Sequence, residues 1–312
     1  MIRIEAGHFS MGSDQFYADE GPVHEVTVAA FEIDAHPVTN AEFAVFIENT
    51  GYITVAERPL DPTVYPDVAP EDLLPGALVF TGSRGPVDLS NWRQWWGWAP
   101  GASWRHPFGR AAGSAIEARP DHPVVQVAYE DAVAYGQWAG KRLATEAEWE
   151  FASRGGLSDR FPYAWGVEPT PNGVLMANTW KGRFPFLNVG ANGWRGTSPV
   201  GSFPANGYGL VDMIGNVWEW TSTGYASRHE LPASTPSDDD CRCSPGRDAR
   251  REPLEDAASV SEDGSGIRQR VLKGGSHLCA PEYCLRYRPA ARSPQSEDTS
   301  TTHIGFRCAR SV

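Results

Sequence analysis

No regular element in this chain can run far before a glycine or a proline interrupts it. Glycine takes 32 and proline 25 of the 312 positions, together roughly 18 % against a usual share of about 12 %. Many turns and irregular segments are therefore expected, rather than long helices. At this length the chain can bury a core without disulfide support, as one large domain or two ordinary ones. The twelve tryptophans, several of them clustered, would build that core or line a concave site.

Three stretches carry helix signals. In "TNAEFAVFIENTG", Thr39 can cap a helix with Glu42 as its capping-box partner, Phe43, Phe46 and Ile47 form an apolar face, and Gly51 ends it. "YEDAVAYGQWAG" gives a second helix ending at Gly140. "TEAEWEFASRGG" gives a third, with Thr145 and Glu148 repeating the capping box and Gly155 and Gly156 as the stop. Strand signals are shorter. "HEVTVAAFEID" alternates Val26 and Val28 with Glu25 and Thr27, as a half-buried strand does. "NVWEWT" (216–221), "QRVLKGG" (269–275) and "HIGFRCA" (303–309) read as short strands. The Pro- and Trp-rich residues between the first and second helices show no clean period. Residues 222–268 are polar, with Pro, Ser and Asp, and read as one long loop. No internal repeat or hinge-like linker appears, so a single domain over residues 1–312 is expected.

Net charge is −12 and the pI is near 5.1. Phosphate tracking needs a basic stripe, and none appears, so nucleic acid is not an expected partner. Such acidity is ordinary for a soluble protein and can attract cationic peptides. No apolar run approaches the roughly 18 residues of a membrane span. "MIRIEAGHFSMGS" lacks a basic and an apolar region and is not a signal peptide. Five cysteines suit reduced thiols better than a paired disulfide framework. The chain reads as cytoplasmic, with no membrane partner.

The chemistry is concentrated in "GGSHLCAPEYCLRYRPAAR", residues 274–292. Cys279 and Cys284 stand in a C-x4-C arrangement behind Gly-Gly-Ser and ahead of Arg286, Arg288 and Arg292. Free cysteines are often simple buried residues. A disulfide needs Cα atoms about 4.4–6.8 Å apart, and Pro281 favours the bend this requires. Zinc would want four ligands; His277 and His303 could complete a set, though the spacing fits no common zinc module. Cu(I) accepts two thiolates and leaves room for a third sulfur. The arginines could hold the sulfurs as thiolates, or pair carboxylates in the core, the role favoured for Arg288 and Arg292. These readings stay open on the residues alone.

Taken whole, "RVLKGGSHLCAPEYCLRYRPAARS…THIGFRC" resembles the C-terminal signature of the formylglycine-generating enzymes, or sulfatase-modifying factors. "FSMGS", "HPVTNAEFAVFIENTGYITVAERP", "WRHPFG", "HPVVQVAYEDAVAYGQWAGKRLATEAEWEFASRGG", "MANTWKGRFP" and "NGYGLVDMIGNVWEW" follow in family order. The resemblance implies a loop-rich α+β domain related to C-type lectin modules, with low regular secondary structure. It implies oxidation of the cysteine in a sulfatase Cys-x-Pro-x-Arg motif to Cα-formylglycine. The client would be an unfolded sulfatase polypeptide, O2 the oxidant, and a thiol the reductant. Cys279 and Cys284 would bind Cu(I), with Ser276 beside the thiols and Trp218 near the oxygen pocket. Trp95 would line the substrate cleft, with Trp96, Trp104 and Tyr283 as further substrate-binding residues. Structural Ca2+ is implied at two sites. One would use Asn178, the Thr179 carbonyl, Asn192 and the Trp194 carbonyl. The other would use Asp212, the Gly215 and Val217 carbonyls, and Glu219. Both sets supply the hard oxygens calcium prefers.

Asn192 stands where relatives commonly carry Asp, which removes a charge from the first calcium set. Pro289 occupies a position that is a disulfide cysteine in some relatives, and Cys308 reads as a buried free thiol. Cys243-Ser244-Pro245-Gly246-Arg247 itself fits Cys-x-Pro-x-Arg; it reads as chance within a surface loop, or as a pseudo-substrate. Two other functions compete. A lectin-like binding module on this fold would have no need of the thiol pair. An iron oxygenase on it would need a histidine-rich site that this sequence lacks.

Overall fold

The computed structural model describes residues 1–70, 73–229 and 266–312. Most of the polar stretch 222–268 and the whole of Cys243–Arg247 lie outside the described residues. The regular elements are short and two four-stranded sheets organise them. One holds β1 (Ile2–Ile4), β4 (Phe31–Ile33), β14 (Cys308–Ser311) and β7 (Arg142–Leu143) in that order. It joins the two ends of the chain, since β1 and β14 both pair with β4. The other runs β12 (Arg292–Ser296), β11 (Gln269–Lys273), β10 (Trp218–Gly224), β13 (Ile304–Gly305), with β10 and β13 parallel. Hairpins β2 (Gly7–Met11)/β3 (His24–Val28), β5 (Gly76–Phe80)/β6 (Trp96–Pro100) and β8 (Gly182–Arg183)/β9 (Leu187–Asn188) lie outside these sheets. Among the described residues, no helix is long and apolar enough to cross a membrane.

The helices follow their local signals. α1 is Asn40–Thr50: Thr39 Oγ1 accepts the Glu42 N–H at 3.2 Å while Glu42 accepts the Thr39 N–H at 2.8 Å. Gly51 closes it at φ 65°, a left-handed position suited to glycine. Phe43 and Phe46 are buried and Ile47 half-buried, as the apolar face requires. α3 (Tyr129–Trp138) stops just before Gly140. α4 (Glu146–Ser153) repeats the capping box through Thr145 and Glu148.

Three features depart from expectation. The aperiodic stretch between α1 and α3 holds hairpin β5/β6 and the short α2 (Ala115–Ala118). Gly97 and Pro100 hide the strand period of β6. Residues 222–224 continue β10 rather than beginning a loop. "HIGFRCA" is split between two sheets, because the chain bends at Phe306 and Arg307. The bend sends Phe306 into the core and Arg307 onto Glu219.

Phe43, Trp104, Trp149, Trp220 and Phe306 anchor the main core. A smaller cluster gathers Trp95, Trp180, Phe184, Leu278 and Ala280. Between elements runs a buried ionic network. Glu146 and Glu150, one turn apart on α4, reach Lys273 at 3.5 and 3.0 Å. Arg292 lies 2.9 Å from Glu146 and Arg154 2.6 Å from Glu150. Burial alone would raise the Glu146 carboxyl, but Arg292 and then Lys273 outweigh it and hold it well below the usual range. Glu150 is likewise lowered against its burial, by Lys273 and Arg154. A carboxylate depressed on folding adds stability above its unfolded value of about 4.3 and loses it as pH falls through the folded value. The Tm is therefore expected to fall as pH drops below ~4.5, and to fall less steeply in Glu146→Gln. Equal acid slopes in the two proteins, measured by thermal unfolding across pH, would remove the network as the cause.

Candidate active site

The C-x4-C loop leaves β11 through two glycines in left-handed backbone, Gly274 at φ 94° and Gly275 at φ 73°. A Cβ on Gly274 would stand 2.8 Å from the Met213 carbonyl oxygen, and one on Gly275 2.9 Å from the Tyr287 Cα. Side chains there would push the loop off its support. Ser276 then accepts the Cys279 N–H at its carbonyl, 2.9 Å, and the Leu278 N–H at its hydroxyl, 3.2 Å. The chain turns at Ala280, whose carbonyl accepts from Cys284 N–H at 2.7 Å. This turn sets Cys279 Sγ 3.1 Å from Cys284 Sγ. That is well beyond a covalent bond of about 2.05 Å, so two free thiols face each other.

The two sulfurs are electrostatically unlike. Cys279 is buried, and its desolvation and then the neighbouring Cys284 push its thiol well above the ordinary value. Cys284 is lowered, first by the hydrogen bond from Cys279, and further by Arg286 and Arg288, against its own desolvation. Cys279 therefore holds its proton more tightly than Cys284 does. The Ser276 N–H also points to Cys279 Sγ, at 3.4 Å.

Arg286 is fixed from the far end of the chain. It bonds Asp19 Oδ2 at 2.8 Å and lies over the Tyr17 ring at 4.0 Å. The Tyr17 hydroxyl accepts the Leu285 N–H at 3.0 Å. Arg288 pairs with buried Glu20, and Arg292 with Glu146, the core role expected for both. Sequence reasoning missed Tyr17 and Asp19, since only folding brings residues 13–20 beside the thiol loop.

The aromatic residues separate. Trp95 is 0 % exposed, edge-on to Phe184 and to Tyr283. It stands behind the wall of any cleft rather than on it, which corrects its expected place. Trp104 is corrected further: it is fully buried in the main core against Phe43. Trp96 is half-buried on the His303 ring, 4.9 Å between centroids. Tyr283 is 39 % exposed and stacks flat on Phe184 at 4.4 Å. It is the ring of this cluster that offers a face to solvent beside the thiols. Trp218 is buried, its N–H donating to the His303 carbonyl; no hydrogen bond or ring contact joins it to the thiols among the described residues.

The donors can be tested against each metal. Two facing sulfurs, one with its thiol pKa lowered, fit a soft ion such as Cu(I). The zinc set is not formed. The His277 Nδ1–H donates to the Asn216 carbonyl at 2.8 Å and His303 Nδ1 meets Thr301 Oγ1 at 2.7 Å. No three His, Cys, Asp or Glu side chains converge among the described residues. For the first calcium set, Asn178 Nδ2 faces the Gly196 carbonyl and Ser198 Oγ, which fixes the amide orientation. Its Oδ1 is buried with no partner, as a cation ligand would be. Asn192 is exposed, at φ 50° in the turn where Ala191 and Trp194 exchange backbone bonds. The second set fits less well. Burial raises Asp212 to about 6, but Glu219 is paired through both oxygens with Arg307 and also accepts from Trp149 Nε1. The expected second carboxylate is neutralised, leaving Asp212 with the backbone carbonyls of Gly215 and Val217.

A family model described as a sulfatase-modifying factor enzyme 1-like domain matches residues 1–312. The chain is 60 % identical over 309 residues to a formylglycine-generating enzyme of Mycobacterium tuberculosis, covering 99 % of this chain and 96 % of that one. It is 36 % identical to a mouse protein named inactive C-alpha-formylglycine-generating enzyme 2, covering 100 % and 86 %. Among solved structures, PvdO from Pseudomonas aeruginosa superposes with a TM-score of 0.61 at 24 % identity, over 99 % and 93 % of the two chains.

Proposed function

Because the chain belongs to the sulfatase-modifying factor enzyme family, we propose that it converts a cysteine of a sulfatase polypeptide to Cα-formylglycine, with O2 as oxidant and Cu(I) at Cys279 and Cys284. Membership alone does not decide activity, since a relative named inactive shares the family. The observation that carries the reading is the pair of sulfurs facing each other at 3.1 Å. A binding module on this loop-rich, C-type-lectin-like α+β fold would have no use for two unlike free sulfurs held face to face.

When bound, Cu(I) would supply a soft centre at which the client thiolate and O2 meet. The chain's own residues prepare that meeting. The hydrogen bond from Cys279, and then Arg286 and Arg288, ease proton loss at Cys284, while the Cys279 proton, held harder by burial, must also leave Sγ before that sulfur can ligate as a thiolate. The Ser276 N–H steadies Cys279 Sγ, and the Tyr283–Phe184 stack offers an apolar wall to the proline of Cys-x-Pro-x-Arg. The electron count requires a co-reductant. Taking the thiol-bearing carbon of the client cysteine to an aldehyde, with release of hydrogen sulfide, removes two electrons, and O2 accepts four on becoming two oxygens at the level of water. In the overall balance one oxygen atom is accounted for by the aldehyde and one by water, and two thiols joined as a disulfide supply the other two electrons. Calcium at Asn178 would brace the segment beside Cys279, since the Trp180 N–H donates to the Cys279 carbonyl.

The test is aldehyde formation on a Cys-x-Pro-x-Arg peptide, read by mass spectrometry with O2 and reductant, with and without copper. A copper-loaded enzyme that leaves the cysteine unchanged sinks the proposal. Tyr283→Ala is expected to raise KM roughly tenfold with kcat little changed, because a contact equal in ground and transition states is lost. A pure fall in kcat would instead put Tyr283 at the chemistry.

A further inference from the structure

The buried cations of the ionic network all have carboxylate partners, but a half-buried one near the thiols has none. Lys181 follows Trp180, whose N–H donates to the Cys279 carbonyl at 3.0 Å. Its side chain is half-buried, and among the described residues its Nζ makes no hydrogen bond or ion pair. Desolvating an ammonium without a counter-charge costs free energy that the fold does not recover.

Beside Lys181 lies a small cavity of about 30 Å3, lined also by Thr179, Tyr287, Trp165, Leu175 and Met176. A water needs roughly 10–15 Å3 on this measure, so the space suits one small polar group and not a whole cofactor. The polar side chains in its lining are those of Lys181, Thr170, Thr179 and Tyr287. Burial and then Tyr163 raise the Tyr287 phenol, so it stays protonated and can donate. A cation and three hydroxyl-bearing side chains against an apolar wall match a carboxylate, whose two oxygens only accept. The site is also a local exception on a chain of net charge −12, which otherwise repels acidic ligands.

We propose that the cavity at Lys181 is a carboxylate-binding subsite for a reactant, taking an acidic side chain of the polypeptide client or the carboxylate of the thiol reductant. The inference rests on the proposed oxidation for the identity of its reactants. Its first test reads binding alone, so that the two can fail separately. Labelled Cys-x-Pro-x-Arg peptides carrying Glu or Gln at each flanking position are titrated by fluorescence anisotropy against wild type, Lys181→Met and Lys181→Glu. Among the described residues the Lys181 Nζ has no structural partner, so all three should fold, as Tm will show. At one flanking position, Glu should bind roughly tenfold tighter than Gln to wild type, the scale of a charge-assisted hydrogen bond partly open to water. The gap should close in Lys181→Met and reverse in Lys181→Glu. In the reductant arm, KM for glutathione, an anionic thiol, is compared with KM for dithiothreitol, a neutral one. A rise for glutathione alone in Lys181→Met supports the subsite and makes the reductant its source. If Lys181→Met changes neither the Glu/Gln gap nor the glutathione KM, the subsite is overturned. The peptide arm needs no turnover, so its outcome stands whether or not aldehyde forms.

Discussion

Cys279→Ser and Cys284→Ser should each reduce aldehyde formation by on the order of a thousandfold or more, because each removes one of only two soft donors. Cu(I) affinity should fall with them, read by competition with a chromogenic chelator. The two variants should differ in one respect. Cys279→Ser leaves Cys284 beside Arg286 but without its thiol donor, whereas Cys284→Ser leaves a buried thiol whose pKa is raised by desolvation. Alkylation near neutral pH should therefore label the Cys279→Ser enzyme at position 284 faster than it labels the Cys284→Ser enzyme at position 279. Cys308→Ser is the control: that thiol is fully buried, and desolvation raises it further from reactivity. A Cys308→Ser enzyme as inactive as the pair variants would show that the ligands are wrongly assigned.

The second large effect is on stability. Arg307→Ala should cost about 3–5 kcal/mol, the scale of a buried ion pair broken on one side. Arg307 grips Glu219 at 2.7 and 2.8 Å, and its remaining N–H groups donate to the carbonyls of Asp34, Ala35 and Val211. Its removal leaves the Glu219 charge buried with only the Trp149 indole for company. Arg307→Lys should recover little, since an ammonium cannot reproduce the two-pronged contact. Urea unfolding measures both. A loss below about 1 kcal/mol for Arg307→Ala would mean that the pair adds little beyond its own desolvation.

Local chemistry is legible in the sequence and distant pairing is not. The capping boxes Thr39/Glu42 and Thr145/Glu148 announce α1 and α4 within four residues, because the partners are sequence neighbours. The strand β10 can be read but its end cannot. Trp218 to Thr221 are all buried, so no alternation marks where the strand faces solvent. In the site, the C-x4-C spacing points to the facing sulfurs, and the arginines behind it are visible as candidate partners. What sets those arginines is Tyr17, Asp19 and Glu20, and nothing in their neighbourhood signals it. Trp104 and Trp95 show the reverse error: a tryptophan-rich stretch gives no sign of which rings the fold will seal. Lys181 is unremarkable in sequence because the absence of a partner is visible only in three dimensions.

The bond from the Leu285 N–H to the Tyr17 hydroxyl spans 268 positions, and this separation has a meaning in time. A ribosome adding about 5–20 residues per second needs roughly 13–54 seconds to cover that distance. Throughout that interval Tyr17, Asp19 and Glu20 lack the arginines they will hold, and the two thiols are added only in its last few residues. The thiol pair cannot gain its electrostatic asymmetry on a partial chain. Translation length thus acts as a clock: no client could be engaged by this site before its own synthesis had passed the arginines.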